Sequence, residues 1–268
     1  MPRSVQQTRF CALVLAGERG PVDPLVQQSG VCCKAMLEID GTPMVLRVLD
    51  ALEKSRHVGR RILSGPGRDQ LAGQASLLTL IDSCAIDWCE PQPTPSTSAY
   101  QAMQAISPDS PVLVTTADHP LLSAEIVDRF CCGSLSQNVD VTVGLAPHAL
   151  VRQAFPDMKK TVLHFSDGDY CGCNLFAFLT PEGRRVADYW RQVETERKNP
   201  LKIIRLLGWG AVIRYLLGRL SLDSAMAGLS RRMGLRIGAV VLPYAEAAVD
   251  VDSVADRSLV QEKLSKGG

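Results

Sequence analysis

The residues whose types and spacing could do chemistry are two cations, two glycines and a distant aspartate. Arg19 and Lys34 belong to "GERGPVDPLVQQSGVCCK" (17–34), a polar stretch that leaves the apolar run "RFCALVLA" at 9–16. Gly17 and Gly20 let backbone amides come close to an anion, and the two cations add fixed positive charge. Asp118 ends a second apolar run, "VLVTTAD" at 112–118, which His119-Pro120 stop at once. A carboxylate facing an Arg/Lys loop suits Mg2+ bridged to phosphate oxygens, so chemistry on a phosphate is the expectation. Two plainer readings compete. The loop matches neither G-x-G-x-x-G nor G-x-x-x-x-G-K-[ST], so its charges could be incidental to a surface loop. Asp118 could be the N-cap of the next helix, although Ser123 suits that role better.

For these groups to meet, both runs must be strands of one open sheet with their C-terminal ends at one edge, where α/β folds bind ligands. Further short strands are expected in "RRILSG" (60–65), "DVTVGLA" (140–146) and "IGAVVLP". Between them lie helical patterns at 98–106 and 123–132 and in "GTPMVLRVLDALEK", with Thr42 as its expected cap and Pro43 as its first helical residue. Strands alternating with helices predict an α/β fold with a mainly parallel sheet. Residues 181–236 break the alternation with a charged helix, an apolar stretch and a helix capped by Ser221. One domain over 1–268 with a helical insertion at 181–236 is therefore expected.

Composition excludes some classes. The net charge of +1 offers no general attraction for nucleic acid. The nine cysteines include no C-x-x-C pair and stand apart from the four histidines, so reduced thiols in a cytoplasmic protein are expected rather than a zinc site. The stretch 201–220 is long enough for a membrane span, but Lys202, Arg205, Arg214 and Arg219 interrupt it. No span is expected there; a buried or partner-facing helix pair and an interfacial membrane contact remain the alternatives, and self-association is left open.

Four ordered segments carry a resemblance: "LVLAGERG…K" with "IDGTPMVLRVLDAL", then "VLVTTADHPLL", then "VDVDSVADRSLV". Together they resemble the MobA-like NTP transferase (nucleotidyltransferase) family, which also includes cytidylyl- and sugar-phosphate nucleotidyltransferases. The resemblance implies a three-layer α/β/α, Rossmann-like nucleotidyltransferase (GT-A-like) fold with a mixed, mainly parallel sheet. It implies that the turn Leu15, Ala16, Gly17, Glu18, Arg19 and Gly20 holds the nucleotide and its phosphates. Lys34 would be the catalytic lysine, acting with Arg19, and Asp118 the Mg2+ ligand, joined by Asp250 or Asp252. "EPQPTPSTSAY" resembles the segment against base and ribose, with Thr94, Ser96 and Ser98 as contacts, and "CGCNLFAF" the acceptor-side strand, with Asn174 near the reacting phosphate. Glu18 departs from the family's second glycine and puts an acid in the phosphate loop.

The implied reaction is in-line attack of an acceptor oxygen on the α-phosphorus of an NTP, CTP or GTP, with pyrophosphate leaving. Lys159 and Lys160, ahead of "HFSDGDYCGCN", are candidates for the acceptor's anionic group; a solvated charged loop is the alternative. The acceptor is expected to be a phosphorylated small molecule, either molybdopterin or the phosphate of a sugar, alcohol or lipid precursor. A GT-A glycosyltransferase with an NDP-sugar donor and a non-catalytic nucleotide-binding homologue are the rival functions.

Overall fold

The computed structural model describes residues 8–18, 24–195 and 208–266, so Arg19, Gly20 and 201–207 lie outside the described residues. Strand β1 (Phe10–Leu15) is buried throughout because each of its faces meets a core: Phe10, Ala12 and Val14 on one side, Cys11, Leu13 and Leu15 on the other. A strand covered on both faces must be continuously apolar, as this one is. Helix α1 (Pro24–Ser29) and a 3-10 turn at Lys34–Met36 follow.

Next, β2 (Glu38–Ile39) and β3 (Thr42–Pro43) form a minimal hairpin around Asp40 (φ 52°) and Gly41 (φ 69°). Two successive left-handed residues suit a tight hairpin turn. This corrects the expectation for Thr42. It pairs with Ile39 in the hairpin, and α2 (Met44–Lys54) starts after Pro43 without a side-chain cap.

The chain continues through β4 (Val58–Ser64), α3 (Arg68–Leu71), α4 (Ala75–Asp82), β5 (Asp87–Cys89), α5 (Pro95–Gln104) and β6 (Val112–Thr116). Helix α5 begins before the expected residue 98 because Thr94 accepts from the Thr97 N–H at 3.2 Å and Pro95 takes the first turn. Ser123 caps α6 (Ala124–Leu135), accepting from the Ile126 N–H at 3.3 Å. Then come β7 (Val141–Pro147), α7 (His148–Ala154), β8 (Val162–Phe165) and β9 (Gly168–Phe178). Helices α8 (Arg185–Thr195), α9 (Trp209–Leu216) and α10 (Leu222–Met233) precede β10 (Ile237–Val241), and α11 (Val254–Lys266) closes the described chain.

The sheet runs β10-β7-β9-β6-β1-β4-β5, with β8 added alongside β9. β1, β4, β5 and β6 are parallel neighbours, β7 pairs parallel with β10, and β9 is antiparallel to β6, β7 and β8. Side chains of α2 and α6 pack on one face and those of α5 and α8 on the other, giving three layers. The edge strand is locked by one carboxylate. Asp140 accepts from the Arg236 N–H at 2.8 Å, from its guanidinium at 2.7 and 3.1 Å, and from the Thr180 hydroxyl at 3.1 Å. Among the described residues, no helix is long and apolar enough to cross a membrane.

Candidate active site

The first two apolar runs become adjacent strands, and β1 and β6 pair in parallel up to Leu15 and Thr116. The ladder runs one residue further, the Ala117 N–H donating to the Leu15 carbonyl at 2.9 Å. Asp118 is thereby delivered beside the turn that leaves β1. That turn is tightly held. Ala16 donates to the Ser64 carbonyl at 2.8 Å, and a Cβ on Gly17 would stand 2.8 Å from the Pro91 side chain. Any side chain here would collide with Pro91, so the turn takes glycine.

Lys34 is fixed by its neighbours. Cys33, Ala35 and Met36 are buried, and the 3-10 turn closes through the Leu37 N–H to the Lys34 carbonyl at 3.1 Å. With its flanks anchored in the core, the Lys34 side chain enters a cleft of about 480 Å3 lined by Leu15, Ala16, Gly17, Glu18, Asp118, Asn174, Asp250 and Asp252, among others. Its ammonium donates to Asp118 Oδ2 at 2.9 Å and to Asp252 Oδ1 at 2.5 Å. Burial disfavours the charged lysine, but the two carboxylates outweigh it and raise its pKa above the usual lysine range. Burial likewise pushes the Asp118 carboxyl up, yet the Lys34 ammonium prevails and holds it below the usual carboxylate range.

The segment carrying Asp252 is tied to the sheet through the Val251 N–H, which donates to the Asp118 carbonyl at 3.0 Å. Ser253 and Asp256 then open α11 reciprocally. Asp256 accepts from the Asp252 N–H at 3.2 Å and Ser253 from the Asp256 N–H at 3.2 Å. His119 braces the same segment, its buried ring contacting the Glu246 carbonyl through Nε2 at 3.1 Å. Burial depresses its pKa, so it stands there as a neutral imidazole whose Nε2–H donates to the carbonyl.

A second group forms around Asp250. Lys160 donates to its Oδ1, and Asn174 Nδ2 donates to Oδ2 at 3.1 Å. Asn174 takes φ 49° where the β7–β9 register shifts between Val143 and Leu145. A left-handed, non-glycine residue at a strand irregularity re-aims a side chain at local cost. Lys159 is exposed and does not join this group.

Glu18 has a local role that its sequence position hides. One carboxylate oxygen accepts from the Lys34 backbone N–H and the other from the Gln70 side chain, each at 3.1 Å. The acid therefore clasps the start of the lysine turn. Thr94, Ser96 and Ser98 do not line the cleft; Pro95 does. The Thr94 hydroxyl caps α5, Ser96 is fully buried, and Ser98 accepts from the Gln92 N–H at 2.8 Å. Gln70 is the participant that the sequence did not suggest, because nothing local marks a partner 52 residues from Glu18.

The described residues suit a hard cation. Asp118 Oδ1 is buried without a hydrogen-bond partner, and three carboxylates, Asp118, Asp250 and Asp252, meet the ammonium groups of Lys34 and Lys160. Mg2+ is commonly held by one or two carboxylates together with substrate phosphates and water. Among the described residues, no group of three or more His, Cys, Asp or Glu is placed to hold a metal ion.

Comparison with known proteins bears on the family and the fold. The model of the MobA-like NTP transferase domain matches residues 12–161. A hypothetical transferase from Thermus thermophilus is 30% identical, with TM-score 0.77, covering 93% of this chain and 100% of its own. A CMP:2-keto-3-deoxy-manno-octonic acid synthetase complexed with CTP aligns over 97% of this chain and 100% of its own, with TM-score 0.60 at 12% identity. A 4-diphosphocytidyl-2C-methyl-D-erythritol synthase from Anaerococcus prevotii aligns over 97% of both chains, with TM-score 0.56 at 14% identity. These last two show the fold alone. No curated protein matches the sequence. With more than half of its length inside the family's domain, the chain belongs to the MobA-like NTP transferase family.

Proposed function

We propose that the chain transfers a nucleoside monophosphate from an NTP to a phosphorylated small-molecule acceptor in a Mg2+-dependent reaction that releases pyrophosphate. The observation that carries this reading is the Lys34 ammonium shared by Asp118 and Asp252 beside the closely packed turn Leu15–Glu18. In that reading the turn's backbone amides and Lys34 receive the triphosphate. The acceptor's phosphate oxygen bonds to the α-phosphorus as the bond to the β-phosphate's bridging oxygen breaks, and pyrophosphate takes the electron pair. Lys34 offsets the charge that gathers on the α-phosphoryl oxygens, with Arg19 as a further cation. Mg2+ bound by Asp118 and Asp252 would supply charge neutralisation to the phosphate oxygens. Asp252 is preferred over Asp250 because both Asp250 oxygens are already taken by Lys160 and Asn174.

The Lys160–Asp250–Asn174 group is assigned to the acceptor side. A phosphate monoester has a second pKa near ~6, so it is largely ionised at neutral pH and needs no general base. That suits a cleft whose nearest histidine is held neutral against a carbonyl. CTP and GTP are the expected donors. The acceptor is either molybdopterin or the phosphate of a sugar, alcohol or lipid precursor.

Pyrophosphate release from each NTP, offered with a panel of these acceptors and Mg2+, tests the assignment. One donor–acceptor pair should turn over, and Lys34→Ala and Asp118→Ala should each reduce its rate by about 10²-fold or more. Undiminished release in either variant would overturn the assignment.

A further inference from the structure

We infer that α9 and the turn after it form a docking face for an anionic lipid surface. Trp209, Ile213, Leu216 and Leu217 are 62%, 53%, 77% and 62% exposed, and α9 has no buried residue. At helical spacing these four fall on one side. The opposite side fastens the helix. The Tyr215 hydroxyl accepts from the His164 backbone N–H at 3.2 Å, and its ring meets Phe165 edge-on with centroids 6.0 Å apart. The chain thus anchors α9 to β8 through Tyr215 and turns its large apolar side chains to solvent, a contiguous patch of the kind that marks an interaction site.

Charge identifies the occupant. Arg214 and Arg219 are exposed beside the stripe, Arg231 is exposed in the last turn of α10, and no acid occurs from Trp209 to Leu222. Trp, Ile and Leu rimmed by arginines is the chemistry of an interfacial helix on anionic headgroups. Of the acids nearby, Asp167 is engaged by the Leu222 N–H and Asp169 by His164, and Asp223 lies beyond the stripe in the first turn of α10. A two-fold contact between copies would instead set like charges of the two chains near one another.

Co-flotation of the full chain with phosphatidylcholine vesicles, with and without phosphatidylglycerol, tests this without any nucleotide. Binding should need phosphatidylglycerol and weaken as salt rises. Trp209→Ser/Leu216→Ser should cut partitioning about tenfold or more, and Arg214→Glu/Arg219→Glu should abolish the preference for anionic vesicles. All four positions are exposed, so an unchanged Tm would certify the fold of each variant. Absence of flotation, or flotation unaltered in both variants, would overturn the proposal. So would a dimer in light scattering that Trp209→Ser/Leu216→Ser dissolves, because the face would then belong to a second copy.

Discussion

Glu18 shows how a residue that looks misplaced in a phosphate loop can be put to use. Its carboxylate spans the Lys34 backbone N–H and Gln70, so it orders the lysine turn and its charge is engaged by two donors. Glu18→Gly, which restores the glycine usual in the family, should therefore lower stability by about 1 kcal/mol and weaken NTP binding. Calorimetric affinity with Mg2+ measures the second effect; tighter binding in the variant would mean that the acid opposes the phosphates. Lys34 and Asp118 stand out in the sequence because one ends a polar loop and the other an apolar run, whereas Asp250 and Asp252 are suggested only by the resemblance to the family. Thr94 and Ser98 are expected at the base and ribose, and among the described residues their hydroxyls instead serve the chain itself. A hydroxyl-rich stretch before a helix looks alike whether its oxygens meet a ligand or, as here, cap the helix and hold the preceding loop.

At the scale of elements, β1, β4, β6, β7 and β10 were legible because buried parallel strands are short apolar runs between turn signals. The β2–β3 hairpin was overlooked although Asp40-Gly41 is itself a hairpin signal, because Thr42-Pro43 also looks like a helix start. Ser123 was legible as the cap of α6, and Ser123→Ala should cost about 1 kcal/mol in chemical denaturation. The clamp between β7 and β10 was not legible, since Asp140 and Arg236 lie 96 residues apart. Hydrogen bonds from Arg236 hold the Asp140 carboxyl down at about 2. A depressed carboxyl stabilises the fold fully above its unfolded value near ~3.9 and loses that contribution as pH falls through the folded value. Thermal melts between pH 5 and ~2 should accordingly show a shallower acid limb for Asp140→Asn than for the wild type.

For the molecule as a whole, the layer architecture followed from the alternation of strands and helices. The strand order did not, because β9 is inserted antiparallel between β6 and β7, and no local pattern announces such a neighbour. That insertion nevertheless brings Asn174 to the cleft opposite the turn from β1. An NTP seated there should stabilise the whole chain, by about 2.7 kcal/mol at 100 times its Kd. A thermal-shift panel of the four NTPs with Mg2+ should single out CTP or GTP. The most direct measurement of the central claim is the affinity of that nucleotide by calorimetry, with and without Mg2+, in the wild type, Lys34→Ala and Asp118→Ala. Lys34→Ala should weaken binding about tenfold or more, equivalent to ~1.4 kcal/mol, and Asp118→Ala should remove the gain from Mg2+. Wild-type affinity and wild-type Mg2+ dependence in both variants would contradict the account.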